Sequence, residues 1–151
     1  MYTHEWEEKE ARPTAPLKPV VLPMECRELW PCMWKYLEDR ALDGRIAESN
    51  GWYPTMDYQM CARVVIPASS LVNSWAYYQA RLIVEAHPNV KRYVSPAAPR
   101  GDALAVVFPS SCVLGSIIVE GPMDALAAAG MGYVGVALMG NKPGESVLCH
   151  I

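Results

Sequence analysis

The stretch that most limits what this chain can fold into is Ser116 to Gly140, SIIVEGPMDALAAAGMGYVGVALMG. Ile117, Ile118 and Val119 form a continuous β-branched run, as expected of a strand buried on both faces. Glu120-Gly121 ends that strand. Pro122 suits the first turn of a helix, where its missing N–H costs nothing. Met123 to Met131 is rich in Ala and Leu, and Gly130 or Gly132 can stop it. Tyr133 to Leu138 is short, apolar and again strand-like. The pattern predicts β-α-β with a tight first turn, hence a parallel pair joined by a right-handed crossover.

The chemistry concentrates at that turn. Glu120 falls at the carboxyl end of a strand, where open α/β sheets place ligands. Asp124 follows in the first helical turn, so both carboxylates can point into one crevice. Two acids there suit Mg²⁺, a hard cation that takes oxygen ligands and keeps several waters. An acid at a helix N-terminus also has a plainer use, since it complements the helix dipole.

Ahead of this unit the chain reads differently. Residues 1–24 form a charged arm, with Glu5, Glu7, Glu8 and Glu10 followed by Pro13, Pro16, Pro19 and Pro23; the prolines favour extended backbone. A helix is expected from Pro31 to Arg40, with Trp30, Trp34 and Leu37 at helical spacing. Asp43 can cap a second short helix, Gly44 to Ser49, ending at Asn50-Gly51. Cys61 to Pro67 predicts a strand. Ser74 to Tyr78 suggests its hairpin partner through Asn73, and Gln79 to Glu85 a continuation. Lys91 to Pro96 is short, basic and aromatic, and Leu104 to Phe108 is a last apolar strand. The fold class is α+β: a small, mostly antiparallel basic subdomain with helices over residues 25–110, then an incomplete α/β unit over 111–151. Arg63, Arg81, Lys91, Arg92 and Arg100 can converge on one face as a positive groove that tracks phosphates, and Tyr93 can stack on a base. An ordinary mixed-charge surface is the alternative.

Composition narrows the rest. Hydrophobic residues make up 52% and charged residues 19%, so a packed core is expected and global disorder is not. The formal net charge of −3 excludes bulk basicity, so any nucleic-acid contact must come from a local patch. The five cysteines (26, 32, 61, 112 and 149) lack Cys-x-x-Cys spacing, and His4, His87 and His150 are scattered. No zinc is therefore expected. An odd thiol count without a secretory leader favours a reducing cytoplasm, and no apolar run is long enough to cross a membrane.

IIVEGPMDALAA resembles the first motif of the Toprim domain, shared by primases, topoisomerases and some nucleases: an apolar strand, Glu-Gly, two variable residues, Asp and an apolar helix. YVGVALMGN resembles the second Toprim strand and its glycine turn. Upstream, YLEDRALDG is similar to the Tyr-Leu-x-x-Arg-Gly-Leu segment that begins the bacterial and phage-type DNA primase core, with Ala41 in place of the usual Gly. RVVIP, YYQARLI and KRYVSP resemble later segments of that core, in the same order. The resemblance covers roughly Trp34 to Gly140 and implies that Glu120 is the catalytic acid or base, with Asp124 a supporting acid. It implies that Arg63, Arg81, Lys91 and Tyr93 hold template and nucleotide, with Arg92 an inserted neighbour.

The family carries a later Asp-x-Asp motif, and residues 141–151 contain no Asp. The resemblance therefore implies a Toprim unit truncated before that motif. It points to a primase-core fragment or subunit for RNA primer synthesis on single-stranded DNA. Such a chain would use nucleoside triphosphates in the host cytoplasm during phage DNA replication. A protein partner, either a second primase chain or a replicative helicase, is expected to complete or recruit it. Two other functions stay open: a catalytically inactive Toprim-like binding protein acting on a replication partner, and a Toprim nuclease.

Overall fold

The computed structural model describes residues 20–23, 28–70, 76–85, 87–97, 103–139 and 147. The expected acidic arm before residue 20, the turn at Asn73, Arg100, Cys26 and Cys149 lie outside the described residues.

A long antiparallel hairpin organises the first half. β-Branched and aromatic residues line both arms, Arg63–Ser70 and Ala76–Leu82, which pair from Arg63↔Leu82 to Ser69↔Ala76. The strand expected to continue through Gln79 does so, and ends at Leu82. Numbered in chain order, the elements are α1 (Pro31–Glu38), α2 (Gly44–Ser49), β1 (Tyr53–Pro54), β2 (Arg63–Ser70), β3 (Ala76–Leu82), β4 (Tyr93–Val94), β5 (Ala103–Val107), β6 (Ser116–Val119), α3 (Pro122–Gly130) and β7 (Val134–Ala137). Pro31 opens α1, and the Asp43 carboxylate caps α2 by accepting from the Arg45 amide.

The sheet order is β4-β3-β2-β5-β7-β6, with β1 also paired to β2. β6 and β7 are parallel, from Ser116↔Val134 to Val119↔Ala137, as the crossover pattern requires. The fold is α+β with a mixed sheet. β5 ends at Val107 and β6 begins at Ser116, on either side of residue 110, and both belong to this sheet. β5 pairs with β2 at Ser69↔Leu104 and Ser70↔Ala103, and with β7 over three residues.

Period-two alternation explains how both faces of the hairpin are used. Val64 and Ile66 point into the main core, which also takes Met33, Leu37 and Ile46 from the first two helices and Ala125, Leu126 and Ala129 from α3. Val65 points the other way, into a second cluster with Tyr53, Tyr78 and Ala80. The front helices are also tied to the back of the sheet through Asn50. Its Nδ2 donates to the Phe108 carbonyl (2.9 Å) and its Oδ1 accepts from the Phe108 amide (2.7 Å).

Two sequence expectations are corrected. β6 is not buried on both faces: among the described residues it is the last strand of the sheet, α3 covers only one of its faces, and Ile118 is 48% exposed. Arg63 does not reach a phosphate-facing surface. It is buried, with Nη1 donating to the carbonyls of Ala80 and Arg92 (both 3.2 Å) and Nη2 to that of Lys91 (2.7 Å). Burial lowers its pKa, and three carbonyls replace the water that its charge has lost. Arg63 fastens the loop before β4 onto the hairpin.

Two positions test this packing. At Gly135 a Cβ would run into the backbone of Ala125, so α3 lies directly on β7 there. Gly135→Ala is expected to cost about 3 kcal/mol in urea unfolding, the upper end for overpacking. Ala41, where the primase segment carries Gly, has φ 55°, a left-handed conformation that costs a residue with a Cβ. Ala41→Gly is expected to gain about 1 kcal/mol in the same measurement.

Candidate nucleotide and single-strand site

The site grows from one cross-strand pair. Arg81 on β3 lies directly opposite Tyr93 on β4, and side chains so placed share a face and meet. The Arg81 guanidinium sits 4.6 Å from the centre of the Tyr93 ring. Its Nε donates to the Tyr36 hydroxyl on α1 at 2.8 Å. Tyr36 in turn carries the Arg40 guanidinium over its ring, 3.8 Å from the centre, while Arg40 Nη1 donates to the Tyr36 carbonyl at 3.2 Å. Cations over aromatic faces are held by the ring quadrupole. The result is a ladder, Arg40–Tyr36–Arg81–Tyr93, running from α1 across the sheet.

One side of the ladder faces a groove of about 540 Å³. Lys35, Arg40, Arg81 and Arg92 line it, against the acids Asp39 and Glu85. Lys35 and Asp39 form an exposed pair at 3.0 Å, worth little in water. Arg81 gives its Nε to Tyr36, and the planar end of its guanidinium lies against Tyr93. That planar end is the donor set that suits an oxyanion.

The other side opens into a cavity of about 280 Å³ lined by Gln79, Tyr93, Glu120, Gly121, Pro122, Asp124 and Met139. Gln79 lies two residues from Arg81 on the same face of β3. It is buried, and its Nε2 donates to the Met139 carbonyl at 3.4 Å. The two acids stand at the β6–α3 turn and are exposed. Gly121 caps α3 and Pro122 begins it. The Asp124 carboxylate folds back over Gly121, where an added Cβ would lie 3.5 Å from Oδ2. Burial, above all, raises the pKa of Tyr93, and Arg81 opposes that shift, so its phenol stays neutral at physiological pH.

The structure thus brings together Glu120, Asp124 and Tyr93 in one cavity, and Arg81 and Arg92 in the adjoining groove. Lys91 is exposed and lines neither; its carbonyl serves Arg63. Sequence reading missed Lys35, Tyr36, Arg40, Gln79 and Met139. Tyr36 and Arg40 stand in YLEDR, and Gln79 could have been found from Arg81 by strand alternation. Among the described residues, no three His, Cys, Asp or Glu side chains gather as a metal-holding group, and no helix is long and apolar enough to cross a membrane.

No family profile and no curated protein matches the chain. A solved structure that is similar to it is described as "Structure of the DnaG primase catalytic domain bound to ssDNA". The TM-score is 0.49 and the identity 18%, over 75% of this chain and 49% of that one. The chain thus spans about half the length of that structure. At this identity and score the likeness assigns no residue and no activity.

The ladder has a testable joint. Tyr36→Phe keeps both rings and both cations but removes the acceptor for Arg81 Nε. It is expected to cost about 1 kcal/mol in urea unfolding, the net worth of a partly exposed hydrogen bond to a charged group.

Proposed function

We propose that this chain is the template- and nucleotide-holding part of a primase-type core. Single-stranded DNA lies along the Lys35–Arg40–Arg81–Arg92 groove, and the triphosphate of a nucleotide reaches the cavity at Glu120 and Asp124. The observation that carries this reading is the Arg81–Tyr93 stack, which forms a wall common to the cationic groove and the acidic cavity. A phosphate held by the Nη groups of Arg81 is then next to the two carboxylates. Tyr93 supplies a flat neutral surface for a base.

Glu120 and Asp124 fit a hard divalent cation in ligand type: both are exposed carboxylates on one turn, and Mg²⁺ is commonly held by one or two carboxylates plus waters and substrate phosphates. When bound, Mg²⁺ supplies charge neutralisation at the phosphate oxygens. In primer extension the 3′-oxygen forms a bond to the α-phosphorus, the bond to the β-phosphate oxygen breaks, and pyrophosphate leaves. Glu120 accepts the 3′-hydroxyl proton, and Arg81 holds a phosphate oxygen as charge shifts onto it. The described residues contribute two carboxylates to this centre. Efficient synthesis then needs further acids from outside the described residues, and a partner chain in a replication setting such as that of a phage is the source we propose. The same shortage favours a second reading, in which the chain binds DNA or a replication protein without chemistry of its own.

Fluorescence anisotropy with a labelled single-stranded oligonucleotide tests the binding half. Arg81→Ala is expected to weaken binding about tenfold, and Lys91→Ala less than about twofold. Four neutralised phosphates give a log–log salt slope of about −3. Binding that Arg81→Ala leaves unchanged would refute the assignment. A primer-synthesis assay with Mg²⁺ and nucleoside triphosphates tests the chemical half. The lone chain is expected to make little product, and Glu120→Ala to abolish synthesis restored by a partner. Restored synthesis that survives Glu120→Ala rules out its catalytic role.

A further inference from the structure

The geometry points to Gln79 as the residue that selects a ribonucleotide, its amide taking the 2′-hydroxyl of the sugar. This inference rests on the nucleotide reading of the acidic cavity and adds which sugar that cavity accepts. Three polar or charged side chains are buried among the described residues: Thr55, Arg63 and Gln79. Thr55 accepts from the Asp57 amide, and Arg63 donates to three carbonyls. Gln79 is less well served. It is 6% exposed, and among the described residues its one hydrogen bond is the 3.4 Å donation from Nε2 to the Met139 carbonyl.

An amide side chain has two N–H donors and an oxygen with two lone pairs, so most of its capacity is unused. Its cross-strand neighbour is Ile66, which is fully buried. A polar group left incomplete beside apolar side chains is costly. Among the described residues, the Ser95 hydroxyl is the one side-chain polar atom both sealed from solvent and without a partner. The unused atoms of Gln79 are therefore not sealed, and the cavity that Gln79 lines is what they reach.

The wall of that cavity follows the order of the parts of a nucleotide. Tyr93 is opposite Arg81, hence diagonal to Gln79 across the β3–β4 pair, a spacing that long side chains bridge. On its other side Gln79 touches Met139. The Leu138 amide donates to the Val119 carbonyl at 2.9 Å, so Met139 follows at the end of β6, where it lines the cavity with Glu120 and Gly121. Gln79 thus stands between the aromatic face and the carboxylates, as a ribose stands between base and phosphates. With the base on Tyr93 and the triphosphate at Glu120 and Asp124, the sugar falls at Gln79. The 2′-carbon is bonded to the carbon that carries the base, so its hydroxyl is the one nearest Tyr93. The 3′-hydroxyl lies on the phosphate side of the ring.

A hydroxyl donates and accepts at once. It can donate to Oε1 and accept from the second N–H of Nε2, which completes the amide. A phosphate oxygen only accepts, and the Oε1 dipole repels it. A 2′-deoxy sugar brings neither donor nor acceptor, and it leaves the amide incomplete in a cavity from which it has displaced water. A buried polar group discriminates well against a ligand that lacks its hydroxyl, and the 2′-hydroxyl is the group by which a protein tells RNA from DNA.

Amide chemical-shift titration of the ¹⁵N-labelled full chain with Mg²⁺ and ATP, 2′-deoxyATP or 3′-deoxyATP tests the inference. ATP is expected to bind about tenfold more tightly than 2′-deoxyATP, and 3′-deoxyATP within about twofold of ATP. Gln79→Met keeps the length of the side chain and removes the amide; it is expected to bring the ratio of ATP to 2′-deoxyATP affinity to about one. Gln79→Leu repeats the comparison if the methionine variant misfolds, as the dispersion of its amide spectrum would show. Equal binding of ATP and 2′-deoxyATP by the wild-type chain overturns the inference and leaves the nucleotide cavity in place. So does a preference that persists in a folded Gln79 variant, or one that follows the 3′-hydroxyl. If no nucleoside triphosphate binds by about 1 mM, the inference and the nucleotide reading fall together.

Discussion

The Arg81 guanidinium is the contact on which the site depends. It touches Tyr93 on the neighbouring strand and Tyr36 on α1, and so fixes the helix that carries Lys35, with Arg40 in the turn after it, relative to the sheet that carries Gln79. Without it, the cationic groove and the acidic cavity would be two unrelated surfaces. A guanidinium held by two neighbouring rings is pre-organised, and a ligand that meets it loses less entropy than one that must order a loose arginine. The rigidity is inherited: Arg63 pins the loop before Tyr93, and the β2–β3 register sets where Arg81 emerges.

The acidic turn is anchored as firmly, by different means. Gly135 lets α3 lie against β7 at backbone contact, which a larger residue would prevent. The Ala-rich face of α3 then packs into the same core as the front helices. Because β5 bonds to both β2 and β7, the sheet transmits the position of the hairpin to the β6–α3 turn. A single continuous core is the physical reason the two halves of the site can keep one spacing.

Local elements were readable from the chain; their neighbours were not. The β-α-β unit, its parallel pair, the proline-started helices and the Asp43 cap all follow from short-range stereochemistry, and each stands where the residues put it. β6 looked fully buried because Ile117-Ile118-Val119 is uniformly apolar, yet burial depends on which strands and helices flank it, and among the described residues β7 is its one strand neighbour. Arg63 looked like a ligand-facing cation for a similar reason: charge alone does not tell whether a guanidinium meets solvent or three carbonyls. Tyr36 and Gln79 escaped notice because their roles come from contacts 45 and 60 residues away in sequence.

That groove and cavity act as one site is the central claim, and amide chemical-shift mapping tests it most directly. A ¹⁵N-labelled chain would be titrated first with a short single-stranded oligonucleotide and then with Mg²⁺ and a nucleoside triphosphate. The account predicts that the oligonucleotide moves the amides of residues 35–40, 81 and 92–93, and that the second addition moves 79, 120, 121, 123, 124 and 93 again. Shifts from the two ligands that share no residue, or an oligonucleotide footprint that avoids Arg81 and Tyr93, would contradict it.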